Sequence, residues 1–118
     1  MLVSKRGRLE RTIFIYREDR FLFVNRRTSE LTGYSHDELM ADEVWKIIHP
    51  EDCARLQESG QQRIVGGQIP PVFTARVLTK NGEIRVGEFF VDRILYLGQP
   101  AILGIIRDIT EQNLAEEK

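Results

Sequence analysis

Hydrophobic and polar residues alternate along the stretch from Val72 to Ile109, and turn residues interrupt this alternation twice. A period of two is typical of β-strands that bury one face. Asn81-Gly82 predicts a two-residue hairpin loop, because both positions of such a loop need φ > 0. Gly98-Gln99-Pro100 marks the second turn. The stretch therefore predicts three successive antiparallel strands: Val72–Thr79, Glu83–Leu95 and Ala101–Ile109.

Two shorter strands are predicted near the N-terminus. Thr12–Tyr16 and Phe21–Val24 are rich in β-branched and aromatic residues, which suit strands. The polar residues 17–20 between them predict a turn, so the two strands form a hairpin.

Helix boundaries follow this hairpin. Asn25 predicts the start of a short helix and Gly33 its end. Ser35 and Glu38 have the spacing of a capping box, in which each side chain bonds the other residue's backbone N–H. Asp42 predicts the cap of a third short helix.

The longest predicted helix opens at His49-Pro50, since proline suits the first helical position. Its apolar face has helical spacing and consists of Cys53, Leu56, Gly60 and Ile64. The order of elements is two strands, several helices and three strands. This order predicts an α+β fold, a five-stranded antiparallel sheet with helices packed on one face.

The alternation also indicates which side chains of the sheet face the helices. Ala75, Gly87 and Gly104 are small, and small side chains on facing strands leave room. Phe14, Phe89 and Trp45 either fill that room to give a dry core or border a pocket, and pockets for ligands are mostly apolar. The candidate pocket residues are Trp45, Cys53, Leu56, Phe73, Ala75, Val77, Gly87, Phe89 and Gly104.

The opposite face of the sheet carries Leu78, Val86 and Phe90 among polar neighbours. A contiguous exposed apolar patch marks a contact site. We expect two contributors to cover it, the chain's own N-terminal segment (Leu2, Val3 and Leu9) and the same face of a second subunit in a two-fold dimer. The alternative is that three scattered surface hydrophobes need no partner.

Size and charge exclude several classes of protein. The 118 residues are the size of one domain. Seventeen basic and 18 acidic residues give a net charge of −1, without the basic surface of a nucleic-acid-binding protein. One cysteine, Cys53, excludes an intrachain disulfide. No run approaches the roughly 18 apolar residues of a membrane span, and no signal peptide is visible. We expect a cytoplasmic location and no direct membrane insertion.

Catalytic and metal-binding patterns are weak. His49 and Cys53 lie four residues apart, as a base and a nucleophile on one helix would, but no third orienting group is identifiable. The simpler interpretation is that His49 caps the helix and Cys53 packs in the core. His36 and His49 with one cysteine cannot complete a structural zinc site without carboxylates. The sequence predicts no catalytic residues and no metal site.

Five short motifs in order resemble the PAS family, the sensory modules of bacterial signalling proteins. They are PheLeuPheValAsn at 21–25, LeuThrGlyTyrSer at 31–35, IleHisProGluAsp at 48–52, ThrLysAsnGlyGlu at 79–83 and ArgAspIleThrGlu at 107–111. The resemblance spans residues 12–114. It departs from the family pattern at Asp19-Arg20, which lacks a glycine, and at Val86, where many members have tryptophan. Thr79 stands where many members have an arginine, so a salt bridge from that position to Asp108 is absent.

The resemblance implies a domain at residues 12–110, a lead-in segment at 1–11 and the start of an output helix or linker at 111–118. It implies that Asp108 and Thr110 pass changes in the sheet to a fused effector. Relatives that hold haem use a histidine on the long helix, which has none here after Pro50. Relatives with a flavin adduct use Asn-Cys-Arg-Phe, which the surroundings of Cys53 do not match. The cofactor stays unknown, a small organic ligand or none, and haem and covalent flavin are disfavoured.

The expected function is a non-enzymatic sensory domain that binds a small ligand or partner and regulates a fused histidine kinase, diguanylate cyclase or transcription regulator. The alternative is a structural dimerisation module with a filled core and no ligand. A small stand-alone enzyme is the third and weakest interpretation.

Overall fold

The computed structural model describes residues 11–67 and 69–112. One five-stranded antiparallel sheet contains β1 (Thr12–Arg17), β2 (Arg20–Val24), β3 (Val72–Leu78), β4 (Ile84–Tyr96) and β5 (Gln99–Asp108). Three α-helices are α1 (Arg26–Thr32), α2 (His36–Met40) and α3 (Pro50–Ile64), and a 3₁₀ helix spans Val44–Ile47. This architecture confirms the predicted α+β class.

The sheet order is β2-β1-β5-β4-β3, so the last strand of the chain lies in the centre. β1 pairs with β5 in a register that sets Phe14 opposite Gly104. Strands from the two ends of the sequence therefore meet, and the helices between them cover one face. The core on that face includes Phe14, Leu39, Ile47, Leu56, Val77, Phe89 and Ile106.

The predicted helix caps are present at three of four places. Asn25 Oδ1 accepts from the backbone N–H of Thr28, and the left-handed φ of Gly33 ends α1. Ser35 and Glu38 form the reciprocal capping box of α2. His49 Nδ1 accepts from the backbone N–H of Glu51 at the start of α3.

The prediction that Asp42 caps the third helix was wrong. That element is a single 3₁₀ turn whose N-cap is Glu43, and its cap makes no side-chain hydrogen bond. The Asp42 carboxylate instead accepts from the backbone N–H of Glu43, 2.7 Å away. A short acidic side chain can bond the next residue's backbone as readily as it can cap a helix.

The loop between β3 and β4 also differs from the prediction. It has three residues, 80–82, because the Thr79 carbonyl accepts from Gly82 N–H and Thr79 N–H donates to the Glu83 carbonyl. Only Gly82 has positive φ, +85°, which is the pattern of a type I turn followed by a left-handed residue. The hydroxyl of Thr79 accepts from Glu83 N–H and supports this choice. The two-residue loop occurs instead at Leu97-Gly98, where both φ angles are positive.

The start of α3 is fastened to β3 by a buried carboxylate. Asp52 accepts from the backbone N–H of Arg76 at 2.9 Å and pairs with its guanidinium at 2.9 and 3.2 Å. The backbone N–H of His49 donates to the backbone carbonyl of Arg76. These bonds fix the distance between the long helix and the sheet, and thus the space between them. Within the described ranges, no helix is long and apolar enough to cross a membrane.

Candidate functional site

An apolar cavity of about 40 Å³ lies between α3 and the sheet. Six aromatic side chains border it: Phe14, Tyr16, Phe21, Trp45, Phe73 and Phe89. The rings of Phe73 and Phe89 stack 5.1 Å apart, and Phe21 meets Phe14 edge-on at 5.9 Å. One buried water needs roughly 10–15 Å³ measured in this way, so the cavity has room for about three waters or a very small molecule.

Four of the nine predicted pocket residues lie in the cavity wall, namely Trp45, Leu56, Phe73 and Phe89. Whether they bind a ligand stays a prediction. The other five, Cys53, Ala75, Val77, Gly87 and Gly104, lie elsewhere in the fold, which corrects the predicted lining.

The physical reason for this correction is that larger neighbours fill the room beside the small residues. The Phe14 ring occupies the space where a Cβ at Gly104 would stand, and Ile106 with Phe89 fills the space at Gly87. Ala75 and Val77 are buried in the core and do not border the cavity. The Cys53 thiol turns to the main chain, 3.5–3.6 Å from the carbonyl oxygens of Trp45, Ile48 and His49.

Several cavity residues were not among the predicted ones, and they include Tyr16, Ser59, Gly60 and Arg63. The last three lie on α3 with Leu56, at spacings of three, one and three residues. This spacing is the signal that could have found them, since residues 56, 59, 60 and 63 form one helical face. Polar Ser59 and Arg63 were not expected on a buried face because arginine is rarely buried without a partner.

Tyr16 and Trp45 lie between the cavity and an outer groove of about 590 Å³. Both residues border the cavity on one side and the groove on the other. Their rings meet edge-on at 5.7 Å. The indole N–H of Trp45 donates to Asp19 Oδ1 at 2.7 Å, and the Asp19 carbonyl accepts from Val44 N–H. Asp19 lies in the turn after β1, where it and Glu18 have positive φ without being glycine. This turn, the one that lacks the family's glycine, thus holds the Trp45 ring in place.

The hydroxyl of Tyr16 lies against α3 at Gly60, in the space that a Cβ there would need. Burial raises the pKa of Tyr16 to about 12; the nearby charge of Arg63 opposes this rise and that of Asp19 adds to it. The phenol is therefore neutral near pH 7 and available as a hydrogen-bond donor.

The predicted output residues lie in one hydrogen-bonded junction at the end of β5. The Asp108 carboxylate accepts from both the hydroxyl and the backbone N–H of Thr110, where the exit helix begins. The Thr110 hydroxyl in turn accepts from the backbone N–H of Val86 on β4, 2.8 Å away. The first turn of the exit helix is thereby bonded to two strands of the sheet.

A salt bridge to Asp108 does form, although Thr79 cannot supply it. Arg85, six residues later and on β4, donates to Asp108 at 2.7 and 3.0 Å. Burial opposes ionisation of Asp108, but hydrogen bonds from Thr110 and Arg85 hold its pKa below the usual value. The carboxylate is therefore charged near neutral pH and keeps the junction closed.

The pair His49 and Cys53 has no catalytic geometry. The imidazole caps α3, and the thiol contacts the His49 carbonyl oxygen rather than the ring. Burial, with the charge of Asp52 adding to it, raises the pKa of the Cys53 thiol. His36 is exposed beside Asp37. Among the residues that the structure describes, no three His, Cys, Asp or Glu side chains are grouped to hold a metal.

The outer face of the sheet carries a larger apolar surface than the three predicted residues. Phe90 is 40% exposed, whereas Leu78 and Val86 are half-buried. Strand pairing places Phe90 between Ile105 on β5 and Val72 on β3, and Ile105 pairs with Ile13 on β1. These four residues form an apolar row across four strands. The N-terminal residues expected to cover it lie outside the described part of the chain.

A sequence profile of the PAS fold matches residues 21–88. Since this is more than half of the chain, the protein belongs to the PAS-fold family. No curated protein gives a significant match.

Solved structures confirm the fold. A PAS domain from Desulfitobacterium hafniense is 22% identical, with a TM-score of 0.74 over 85% of this chain and 93% of that one. A domain of a sensory box sensor histidine kinase/response regulator from Geobacter sulfurreducens is 30% identical, with a TM-score of 0.66 over 91% and 93%. Cycle PAS-B from Drosophila melanogaster, with bound ethylene glycol, is 20% identical, with a TM-score of 0.65 over 82% and 98%. Family and neighbours together support a sensory signalling domain.

Proposed function

We propose that this domain is a non-enzymatic sensor that binds a small molecule in the cavity beneath α3 and regulates a fused effector through the exit helix. The observation that supports this proposal is that β4 and β5 contribute both to the cavity wall and to the hydrogen-bonded junction of Val86, Asp108 and Thr110. Phe89 of β4 and Ile102 of β5 border the cavity. Val86 of β4 and Asp108 of β5 hold Thr110.

This arrangement supports a short route for the signal. Phe89 is three residues from Val86, so a ligand that displaces the ring pulls on the strand that bonds the exit helix. β-strands rise about 3.3 Å per residue, which sets the two points roughly 10 Å apart. Because packed strands shift as units rather than stretch, a small displacement at the cavity reaches Thr110.

The neighbours support a fused signalling partner. The Geobacter sulfurreducens domain belongs to a sensor histidine kinase/response regulator, so a histidine kinase is our first candidate effector, ahead of a cyclase or transcription regulator. The Cycle PAS-B structure holds ethylene glycol, a molecule of the size that this cavity admits. We place the domain in the cytoplasm, where such effectors meet their substrates.

The competing proposal is a dimerisation module, favoured by the apolar row that includes Phe90 and Ile105. The two proposals differ in whether the cavity is used. Dimerisation through this face does not by itself exclude a ligand, since it leaves the cavity free on the other face of the sheet. A module that only dimerises has no need of a ligand.

Native mass spectrometry of the purified domain tests the sensor proposal. We expect a native mass above the denatured mass by that of one small molecule per chain, released on unfolding. A parallel assay fuses the domain to a histidine kinase and compares autophosphorylation with and without the identified molecule. A native mass equal to the denatured mass, with kinase activity insensitive to small molecules, contradicts ligand sensing and leaves the dimerisation module.

A further inference from the structure

Arg63 is a buried cation in the wall of an otherwise apolar cavity. Only 7% of the residue is exposed, and it borders the cavity from α3, one turn after Ser59. Its guanidinium donates to the backbone carbonyls of Ile69 and Pro70, at 3.2 and 3.3 Å. A guanidinium has five N–H donors, and two of those on Arg63 have an acceptor among the described residues.

The charge of Arg63 is also unmatched. Arg76 pairs with Asp52 and Arg85 with Asp108, but no described carboxylate lies within ion-pairing distance of Arg63. Burial lowers the pKa of Arg63, and the interactions with the Tyr16 phenol and the Asp92 carboxylate only partly offset that effect. Burying a charge is costly unless it is paired, so an anion beside Arg63 would be strongly favoured.

Four residues that border the cavity have polar side-chain groups: Arg63, Tyr16, Ser59 and Trp45. Each of these groups can donate a hydrogen bond, and the Trp45 N–H already donates to Asp19. The remaining wall is hydrocarbon or aromatic apart from Gly60. A matching ligand has hydrogen-bond acceptors and a negative charge at one end and an apolar body at the other.

Size narrows the class further. The cavity of about 40 Å³ has room for about three waters, so it admits only a molecule of a few heavy atoms, such as the shortest carboxylic acids, and is too small for a cofactor. Planar carboxylate is also the group that an arginine fork binds with two parallel bonds.

We propose that the cavity binds a short-chain monocarboxylate, with its carboxylate on Arg63 and Tyr16 and its alkyl chain among the aromatic rings. This inference rests on the proposed ligand-binding function and names the chemical class of the ligand. Arg63 then determines specificity, because it discriminates an acid from a neutral molecule of equal shape.

The test is a ¹H–¹⁵N NMR titration of the full chain with propionate, propionamide and propan-1-ol at matched ionic strength. We expect propionate to bind at least about tenfold more tightly than propionamide, the range for hydrogen bonds to a charged group. The shifted resonances should include Tyr16, Gly60 and Arg63. The variant Arg63→Met should lose this preference, and Arg55→Met, a charge loss on the exposed side of the same helix, should keep it. Circular dichroism confirms that both variants are folded.

If propionamide or propan-1-ol binds as tightly as propionate or more tightly, the ligand is not a carboxylate and this inference is wrong. The sensor proposal, in which the cavity binds a small molecule, would still stand. Propionate binding that persists unchanged in folded Arg63→Met, or shifts confined to surface arginines, also overturns it. If Arg63→Met does not fold, the comparison of propionate with propionamide on the wild-type chain decides. Binding of none of the three molecules overturns the inference, while native mass spectrometry still judges the sensor proposal independently.

Discussion

The hydroxyl of Tyr16 occupies the space beside Gly60 in which any other residue would carry its Cβ. The two residues lie 44 positions apart and close one end of the cavity. A glycine inside a helix is ordinarily a weakness of about 0.5–1 kcal/mol relative to alanine. Here the glycine is required by the neighbouring phenol.

Gly60→Ala should therefore lower the free energy of unfolding by about 1–2 kcal/mol, since the clash of an overpacked core exceeds the gain in helix propensity. Urea denaturation measures this change. The double variant Tyr16→Phe/Gly60→Ala removes the nearest clashing atom and should recover most of the loss. A stabilised Gly60→Ala protein would mean that the phenol moves away freely.

Asp52→Asn should weaken the attachment of α3 to β3. The hydrogen bond from Arg76 is the main reason that the pKa of Asp52 falls from 3.8 to about 2. A carboxyl group whose pKa is lower in the folded protein stabilises the fold at pH values above its pKa in the unfolded chain. This stabilisation is lost as the pH falls through the pKa in the folded protein. We expect a loss of about 1–2 kcal/mol at pH 7, after allowing for solvent around half-exposed Arg76.

The pH dependence distinguishes this charge effect from a packing defect. The difference in urea midpoint between wild type and Asp52→Asn should shrink as pH falls from 4 towards 2. Glu51→Gln is the matched control, because Glu51 also reaches Arg76 at 3.3 Å but is mostly exposed, and it should leave the midpoint unchanged. A constant difference at all pH values contradicts the assignment.

Ser35→Ala removes the N-cap of α2 and should cost about 0.5–2 kcal/mol. Ser29→Ala, within α1, is the control, because only the backbone carbonyl of Ser29 takes part in a cap, accepting from Gly33 N–H, and the substitution leaves that bond in place. Chemical denaturation compares the two. An unchanged midpoint for Ser35→Ala would show that the cap does not contribute to stability.

Thr110→Val or Asp108→Ala should uncouple a fused effector while leaving the domain folded. Thr110→Val keeps the shape of the side chain but loses the acceptor for Val86 N–H, which costs on the order of 1 kcal/mol. The measurements are effector activity in the parent protein and the melting temperature of the domain. Glu111→Gln, in the same turn and exposed, should preserve regulation. Normal regulation in both junction variants would exclude this route.

Phe90→Glu should prevent dimerisation through the outer face of the sheet. Sedimentation of the wild type at high micromolar concentration should show a dimer, and the variant should be monomeric because a carboxylate would be buried in an apolar contact. Leu95→Glu is the control. Leu95 is 68% exposed and also lies on β4, but the alternation of side chains places it on the opposite face from Phe90. A monomeric wild-type protein would contradict the proposed dimer.

Local features of this protein followed from the sequence because their causes lie within a few residues. Asn25, Ser35 with Glu38, and His49 cap helices through bonds that span two or three positions. The alternation of residues such as Ala75 and Val77 set the buried face of the sheet, because side chains on a strand change face at every residue. The order of strands and helices then predicted the fold class and, with the motifs, the family.

The position of the cavity and most of its lining depend on the tertiary structure. Gly104 and Gly87 are small in the sequence, yet Phe14 and Ile106 fill the space beside them, since a void is filled whenever a neighbour can reach it. In the sequence, Arg63 resembles a surface residue, and it is buried only because α3 packs on the sheet. Arg85 pairs with Asp108 in place of the expected partner because β4 and β5 are paired in the sheet. The pattern along a chain records which face is buried, whereas the shape of the remaining space depends on contacts between residues far apart in sequence.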